Sequence, residues 1–411
     1  MLQTLAAVAA ASMPGTSAAQ TAAGAANELE PFGAALLPAG IRSRFVRNVN
    51  GLRVHVLEGG FAQTNRPPVL LLHGFPELAY SWRHVMVPLV EAGYHVVAPD
   101  LRGYGRTTGW DADYDADLVS FSPVNYVRDI VGVAAALGYR NVLGLVGHDF
   151  GSVVAGWCAV VRPDVFRSVV LMSAPFTGAP AIPLDTADAP PPPNRLDEEL
   201  AALRPPRKQY RRYYSTRTAN QDMWHPPQGL HAFMRAYYHM KSADWKQNAP
   251  FPLKGDTAPE LAKLPEYYIM RLDKTMPETV APEMPSADAI ARCTWLPDDE
   301  MRVYSGEYAR TGFQGGLQGY RVRLSGRHNA LLEAFSGRTI DQPSMFVAGK
   351  SDWGVYQTPG ALERMQRSVC TAMEGVHLVD GAGHWVQQER ASAVGRLLLD
   401  FFSRRRNRAA G

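Results

Sequence analysis

At 411 residues, with 46% hydrophobic and 20% charged side chains, the chain is long enough to bury a large core and has the composition of an ordinary globular enzyme. A net charge of +3 gives no sign of the dense basic face that nucleic-acid binding requires. Three widely spaced cysteines, Cys158, Cys293 and Cys370, form neither a disulfide framework nor a zinc-ligand spacing.

Met1–Ala26 is biased toward Ala, Ser and Thr, with an apolar piece at Leu5–Met13 and small residues near Ser17–Ala19. It resembles an export signal that lacks the positive beginning such signals carry. Residues 1–40 therefore read either as an incomplete signal or as an Ala-rich tail, and the compartment as exported or cytoplasmic. No other stretch has the ~18 uninterrupted apolar residues of a membrane span.

Folding is expected from about Ile41. Arg44–Val49 and Leu52–Leu57 alternate and are joined by Asn50-Gly51, a hairpin signal. Pro68–Leu72 reads as a short buried strand ending in His73-Gly74-Phe75-Pro76-Glu77. Ser81–Ala92 has helical spacing. Tyr94–Ala98 is the next strand, and Asp100 and Arg102 after it read as a buried ion pair. Ser122-Pro123 supplies an N-cap and first helical residue for a helix to about Leu137. A strand then runs to Asp149, a helix follows over about Ser152–Val161 with Cys158 as packing, and Phe166–Met172 is apolar again. Alternating strands and helices predict a mostly parallel, doubly wound α/β sheet with an antiparallel hairpin at its start.

That rhythm stops at Thr177. Thr177–Asn194, with its run Pro190–Pro193, reads as a linker. Helical patterns and aromatics dominate from Leu196 to about Arg338, as in Gly229–Trp245 and Pro265–Met270, and predict an inserted helical lid. Strands resume at Ser344–Ala348 and Val376–Val379, with helices over about Thr358–Ser368 and Gln388–Arg405. The division expected is thus a tail at 1–40, core at 41–176, linker and lid at 177–338, and core again at 339–411.

The chain is organised around Val142–Ser152, where an apolar run ends in Gly147-His148-Asp149-Phe150-Gly151 and a helix follows at once. A side chain at the apex of such a turn stands exposed above the sheet. Here the apex is Asp149, where a serine hydrolase has Ser. A carboxylate, with a reference pKa of about 3.9, is already ionised at neutral pH and can attack an sp³ carbon directly, giving an enzyme ester. His384, at the end of the last strand, is then placed to activate water against that ester, with Asp352 orienting it. The order Asp149, Asp352, His384 is that of the α/β-hydrolase triad. Backbone N–H groups of Phe75 and Phe150 are the expected oxyanion donors. His148 reads as structural.

These segments resemble a known family. His-Gly-Phe-Pro-Glu at 73–77, Asp-Leu-Arg-Gly-Tyr-Gly at 100–105 and Gly-His-Asp-Phe-Gly-Ser at 147–152 are similar to those of the soluble epoxide hydrolases and of their relatives, the haloalkane and haloacid dehalogenases. The resemblance implies an α/β-hydrolase fold and a cis Phe75-Pro76 bond. It also implies two lid tyrosines that donate to the epoxide oxygen. Gly312–Arg321 resembles the segment around the second of these, Tyr320, with Gly319 where the family usually has Trp. Tyr210, followed three residues later by another aromatic, fits the first, with Tyr213, Tyr214, Tyr237 and Tyr238 as competitors. His73, Pro76, Trp353 and Trp385 are the expected pocket residues.

The function expected is conversion of a small apolar epoxide and water to a vicinal diol, with no cofactor, metal or nucleic-acid partner. A dehalogenase using the same residues is the nearer alternative, and a non-catalytic small-ligand receptor the more distant one. The sequence is neutral between monomer and homo-oligomer.

Overall fold

The computed structural model describes residues 29–182, 195–326 and 328–410; the Met1–Ala26 and Pro190–Pro193 expectations lie outside them. The strands are β1 (Ile41–Val49), β2 (Leu52–Gly59), β3 (Pro68–Leu72), β4 (His95–Pro99), β5 (Gly144–His148) and β6 (Val169–Met172), followed by β7 (Arg207–Gln209), β8 (Ile269–Arg271), β9 (Ser344–Gly349) and β10 (Met373–Val379). One sheet has the order β1-β2-β4-β3-β5-β6-β9-β10. β2 pairs antiparallel with both β1 and β4, and every other pair in that sheet is parallel.

Side-chain alternation along the buried strands builds a core on each face. Leu71, Val96, Val146, Val170 and Met172 face the helices Arg83–Glu91 and Ala391–Ala410 through Met86, Leu89, Leu398 and Phe402. Leu70, Leu72, Val97, Leu145 and Leu171 face the helices Pro123–Ala136 and Phe150–Val161 through Val127, Ile130, Val154 and Cys158. Both covers are needed because β3 to β6 are buried along their whole length.

Local chemistry sets several element ends. Asn50 and Gly51 take φ of +50° and +80°, which is why Asn-Gly closes the hairpin. The Ser122 hydroxyl accepts the Asn125 N–H at 3.4 Å, and Pro123 occupies the first helical turn. The Phe75-Pro76 bond is cis.

Other details differ from the sequence reading. Phe32 is packed ahead of the hairpin, with its ring 5.2 Å from that of His55. Asp100 and Arg102 do not pair with each other. Asp100 binds His55 at 2.7 Å and Arg102 binds Asp129 at 2.7 Å, so each anchors a different wall of the loop between them. Thr358–Ser368 is α-helical over Ala361–Arg364 and continues as a π-helix over Met365–Val369. The terminal helix breaks at Arg390 into Val386–Glu389 and Ala391–Ala410. Between β6 and β9 the chain is mostly helical, but Ile269–Arg271 leaves the helical pattern to pair with Arg207–Gln209 in a two-stranded ribbon. Pairing between segments this distant leaves no trace in local periodicity.

The turn after β5 is the tightest point. Asp149 sits at φ +50°, ψ −115°, between β5 and the helix Phe150–Val161. A Cβ on Gly147 would lie 2.0 Å from the Gly151 carbonyl oxygen, and one on Gly151 would lie 2.4 Å from the Leu72 carbonyl oxygen. Both contacts are with backbone, which cannot move aside without displacing β3 or the helix. Gly151→Ala is therefore expected to lower unfolding stability by about 2–3 kcal/mol in urea denaturation. An unchanged midpoint would show that the elbow is not close-packed against β3.

Candidate active site

Four strand ends of the parallel sheet bring the site together. β5 delivers Asp149, β3 delivers the loop His73–Glu77, β9 delivers Asp352 and β10 delivers His384. Asp149 Oδ1 accepts the Phe75 N–H at 3.0 Å. Asp149 Oδ2 lies 3.4 Å from His384 Nε2. His384 Nδ1 lies 3.1 Å from Asp352 Oδ1, which also accepts the Gly354 N–H at 2.7 Å. Asp352 only accepts, so His384 Nδ1 carries a proton, and Nε2 faces the second carboxylate, Asp149. Side-chain exposure is 13% for Asp149 but 1% for each of the other two, so only the Asp149 end of the row is open.

Burial and charge compete at each of these groups. Burial disfavours the Asp149 carboxylate, but the facing His384, with the Lys241 and His148 charges, outweighs it and holds the group below the usual range. Burial also disfavours charged Asp352, and His384 and the Gly354 N–H overcome it. For His384, burial and Lys241 push the imidazole down, while Asp352 and Asp149 push harder the other way and leave it raised.

The His384 loop is held from both sides. Its backbone N–H donates to the Lys241 carbonyl at 2.9 Å, and its carbonyl accepts from His148 Nε2 at 2.7 Å. His148 Nδ1 in turn lies 2.5 Å from Glu77 Oε2. The other Glu77 oxygen accepts from Gln387 and Gln388 at 2.7 and 3.0 Å. Glu389 accepts three backbone N–H groups, from Ala243, Gly383 and Trp385, at 2.8, 2.9 and 3.0 Å. One carboxylate thus ties the His384 loop to the insertion, and the other ties it to the loop after β3.

The tyrosines of the insertion gather over Phe75. Tyr320 lies on the helix Gln314–Ser325 with its ring 5.4 Å from Phe75, 5.1 Å from Tyr214 and 5.9 Å from Tyr210. Its hydroxyl makes no hydrogen bond among the described residues, and burial holds the phenol well above its ordinary pKa. The Tyr210 hydroxyl donates to Gln357 Oε1 at 3.2 Å and accepts from Arg211 Nε at 3.2 Å. Of the competitors, Tyr213 donates to Asp222, Tyr214 to the Tyr237 oxygen and Tyr238 to the Pro76 carbonyl, while Tyr237 accepts from Tyr214 and Lys241.

The expected pocket residues are buried in the loops around the site. A cavity of about 530 Å³ includes Phe150 and Tyr320 in its lining, but none of Asp149, His384, His73, Pro76, Trp353 and Trp385. His73 is fully buried, with Nδ1 on the Gly74 carbonyl and Nε2 accepting the Leu101 N–H, so it braces two loops. Trp385 is buried, stacked 4.2 Å from Tyr238, and donates to the Tyr238 carbonyl. Pro76 and Trp353 are likewise packed inside, the latter against Phe251. Phe150 has its side chain in the cavity wall, while its N–H belongs to the first helical turn, where no intrahelical acceptor exists.

Sequence reasoning misses Lys241. Its ammonium is buried among the rings of Tyr268, Tyr237, Tyr267 and Trp385, at 4.8, 5.3, 5.6 and 5.6 Å. It lies 3.5 Å from the Tyr237 hydroxyl and makes no ion pair among the described residues. Burial lowers its pKa, opposed by Asp149, Asp352 and Glu77. The only hint in the sequence is its place at the end of an aromatic helix pattern. Among the described residues no group of three or more His, Cys, Asp or Glu could hold a metal, and no helix is long and apolar enough to cross a membrane.

A carboxylate at a strand–helix elbow, facing a histidine and a second carboxylate on neighbouring strand ends, defines an α/β hydrolase, and that fold family matches residues 67–391. Epoxide hydrolase A of Mycobacterium tuberculosis is 30% identical over 364 residues, covering 87% of this chain and 96% of its own. An epoxide hydrolase of Caballeronia sordidicola is 30% identical over 367 residues, covering 86% and 91%. The solved structure of an epoxide hydrolase from an endophytic Streptomyces superposes with a TM-score of 0.71 at 29% identity, covering 90% of this chain and 97% of that one. Epoxide hydrolase I of potato, Solanum tuberosum, gives 0.67 at 27% identity, covering 89% and 99%. The chain therefore belongs to the epoxide hydrolases of the α/β-hydrolase fold family.

The Lys241 charge has a measurable effect on its neighbour. Lys241 pushes the His384 pKa down, so Lys241→Met is expected to raise it. Titration of the His384 imidazole by NMR checks the sign. An unmoved or lowered pKa would show that Lys241 is neutral in the folded protein.

Proposed function

We propose that the chain hydrolyses an epoxide to a vicinal diol through an ester on Asp149. The observation that carries this reading is the Asp149 carboxylate, with one oxygen on the Phe75 N–H at 3.0 Å and the other facing His384 at 3.4 Å. It lies in a site closed over by the tyrosines of the insertion, and its relatives are named epoxide hydrolases.

In the first step Asp149 Oδ2 bonds to a ring carbon and the C–O bond of the epoxide breaks. The leaving alkoxide is strongly basic, so a proton must reach it as the bond breaks. Tyr320 is the proposed donor, because its hydroxyl is protonated and makes no hydrogen bond among the described residues, so it is free to turn to the epoxide oxygen. Tyr210 is the second donor, exchanging Gln357 Oε1 for the epoxide oxygen. The insertion acts as the lid that carries both.

In the second step His384 Nε2 takes a proton from water, and the hydroxide attacks Cγ of Asp149. Negative charge then develops on Oδ1, where the Phe75 N–H already points and the first-turn N–H of Phe150 can join it. Collapse breaks the Cγ–Oδ2 bond, and the proton of the added hydroxyl passes to the leaving alkoxide, which completes the diol and returns the carboxylate. The proton on His384 returns to the tyrosine. Asp352 stabilises the imidazolium between these transfers. Since only neutral His384 can act as base, hydrolysis of the ester is expected to fall as pH drops through the imidazole pKa, which Asp352 still raises and which loses the Asp149 contribution once that carboxylate is esterified.

The decisive test is intact-protein mass of His384→Gln after exposure to a panel of epoxides and haloalkanes. Without the base the ester should accumulate, giving an adduct equal to the whole epoxide. An adduct from haloalkanes alone would reassign the chain as a dehalogenase. Tyr320→Phe is expected to slow adduct formation by about 10²-fold or more. Unchanged alkylation in a Tyr210/Tyr320 double Phe variant would remove both tyrosines from the reaction.

A further inference from the structure

Tyr210 and Arg211 are neighbours on the helix Tyr210–Tyr214. Adjacent side chains on a helix point about 100° apart and ordinarily do not meet. Here they do. Arg211 folds back so that its Nε donates to the Tyr210 hydroxyl at 3.2 Å, with the guanidinium carbon 5.4 Å from the ring centre. Gln357, on the segment that follows Asp352, closes the arrangement. Its Oε1 accepts from Arg211 Nη2 at 2.9 Å and from the Tyr210 hydroxyl at 3.2 Å. Buried guanidinium groups elsewhere pair with carboxylates, as Arg83 does with Glu300 and Arg102 with Asp129. Half-buried Arg211 makes no ion pair among the described residues, whereas the adjacent Arg212 pairs with Asp197.

The Arg211 charge is therefore left facing phenol oxygens. Burial disfavours the guanidinium, but the Tyr210 oxygen, with those of Tyr320 and Tyr268 adding to it, outweighs burial and leaves the pKa of Arg211 raised. The coupling is mutual, because an oxygen that stabilises a cation has its own negative charge stabilised in return. Tyr320 has the opposite surroundings. Burial, then the Tyr210 and Asp149 charges, push its phenol up, and no cation donates to its hydroxyl among the described residues. The two tyrosines, with rings 5.9 Å apart, are thus unequal.

We propose that Arg211 is a positioning residue for the ring-opening step and acts through Tyr210. This rests on the epoxide reading above. As the epoxide C–O bond breaks, Tyr210 shares its proton with the leaving oxygen. The negative charge that gathers on the Tyr210 oxygen is met by the Nε–H of a fixed cation. Hydrogen bonds between charged groups are stronger than those to a neutral hydroxyl, so this contact tightens as the charge develops, which is the condition for it to raise the rate. The proton held by His384 after ester hydrolysis restores the phenol. Gln357 lowers the cost of the exchange. When Tyr210 turns to the epoxide, Gln357 Oε1 keeps its Arg211 donor, so no acceptor is left without a partner.

The test is the rate of ester formation, read as adduct mass in the His384→Gln protein, with Arg211→Gln added to each of several backgrounds. With both tyrosines present, Arg211→Gln is expected to slow the step about tenfold or more. In Tyr320→Phe the loss should be as large. In Tyr210→Phe it should vanish, because the charge acts only through the Tyr210 oxygen. Arg212→Gln should leave the rate unchanged. If Arg211→Gln fails to fold, Gln357→Glu carries the test. Its carboxylate would neutralise the guanidinium and hold the Tyr210 proton, slowing the step where Tyr210 is present but not in Tyr210→Phe. Equal losses with and without the Tyr210 hydroxyl, for either variant, would make Arg211 a structural residue and overturn the proposal, as would no loss at all. If the His384→Gln protein forms no adduct with any epoxide, the epoxide reading itself fails, and the proposal with it.

Discussion

Asp149, Asp352 and Glu77 are enclosed around the His384 loop and held in the charged state, whereas a fourth carboxylate there, Glu389, is pushed up to about 7 by burial. An unpaired buried carboxylate would take up a proton, and protonated Asp149 could not attack carbon. The fold answers with fixed donors. Phe75 and Gly354 supply backbone N–H groups, His148 and His384 supply imidazoles, and Lys241 supplies a cation without direct contact. Each donor comes from a different element, so charge and topology are coupled: moving any one strand end leaves a carboxylate short of a partner.

This coupling explains why the loops are tied to one another rather than left to the solvent. Glu77 reaches His148 and the helix Val386–Glu389, and Glu389 reaches back to Ala243. The insertion is thereby fastened to the His384 loop at its base, close to where the Lys241 carbonyl accepts the His384 N–H. An insertion attached in this way fixes the His384 loop against the loop after β3, while Tyr210 and Tyr320 lie on either side of the attachment in the chain.

Much of this is legible in the sequence where the cause is local. Asn50-Gly51 closes a hairpin, Ser122-Pro123 starts a helix, and Gly147–Gly151 makes an elbow, because each depends on the backbone freedom or capping chemistry of adjacent residues. Asp149, Asp352 and His384 are visible because each follows an apolar strand. What the sequence hides is pairing over long separations. The β7–β8 ribbon, the separate partners of Asp100 and Arg102, and the burial of Lys241 depend on segments far away in the chain. His73 and Trp385 show the reverse error. They sit next to site residues in sequence, yet their side chains turn inward to brace the loops.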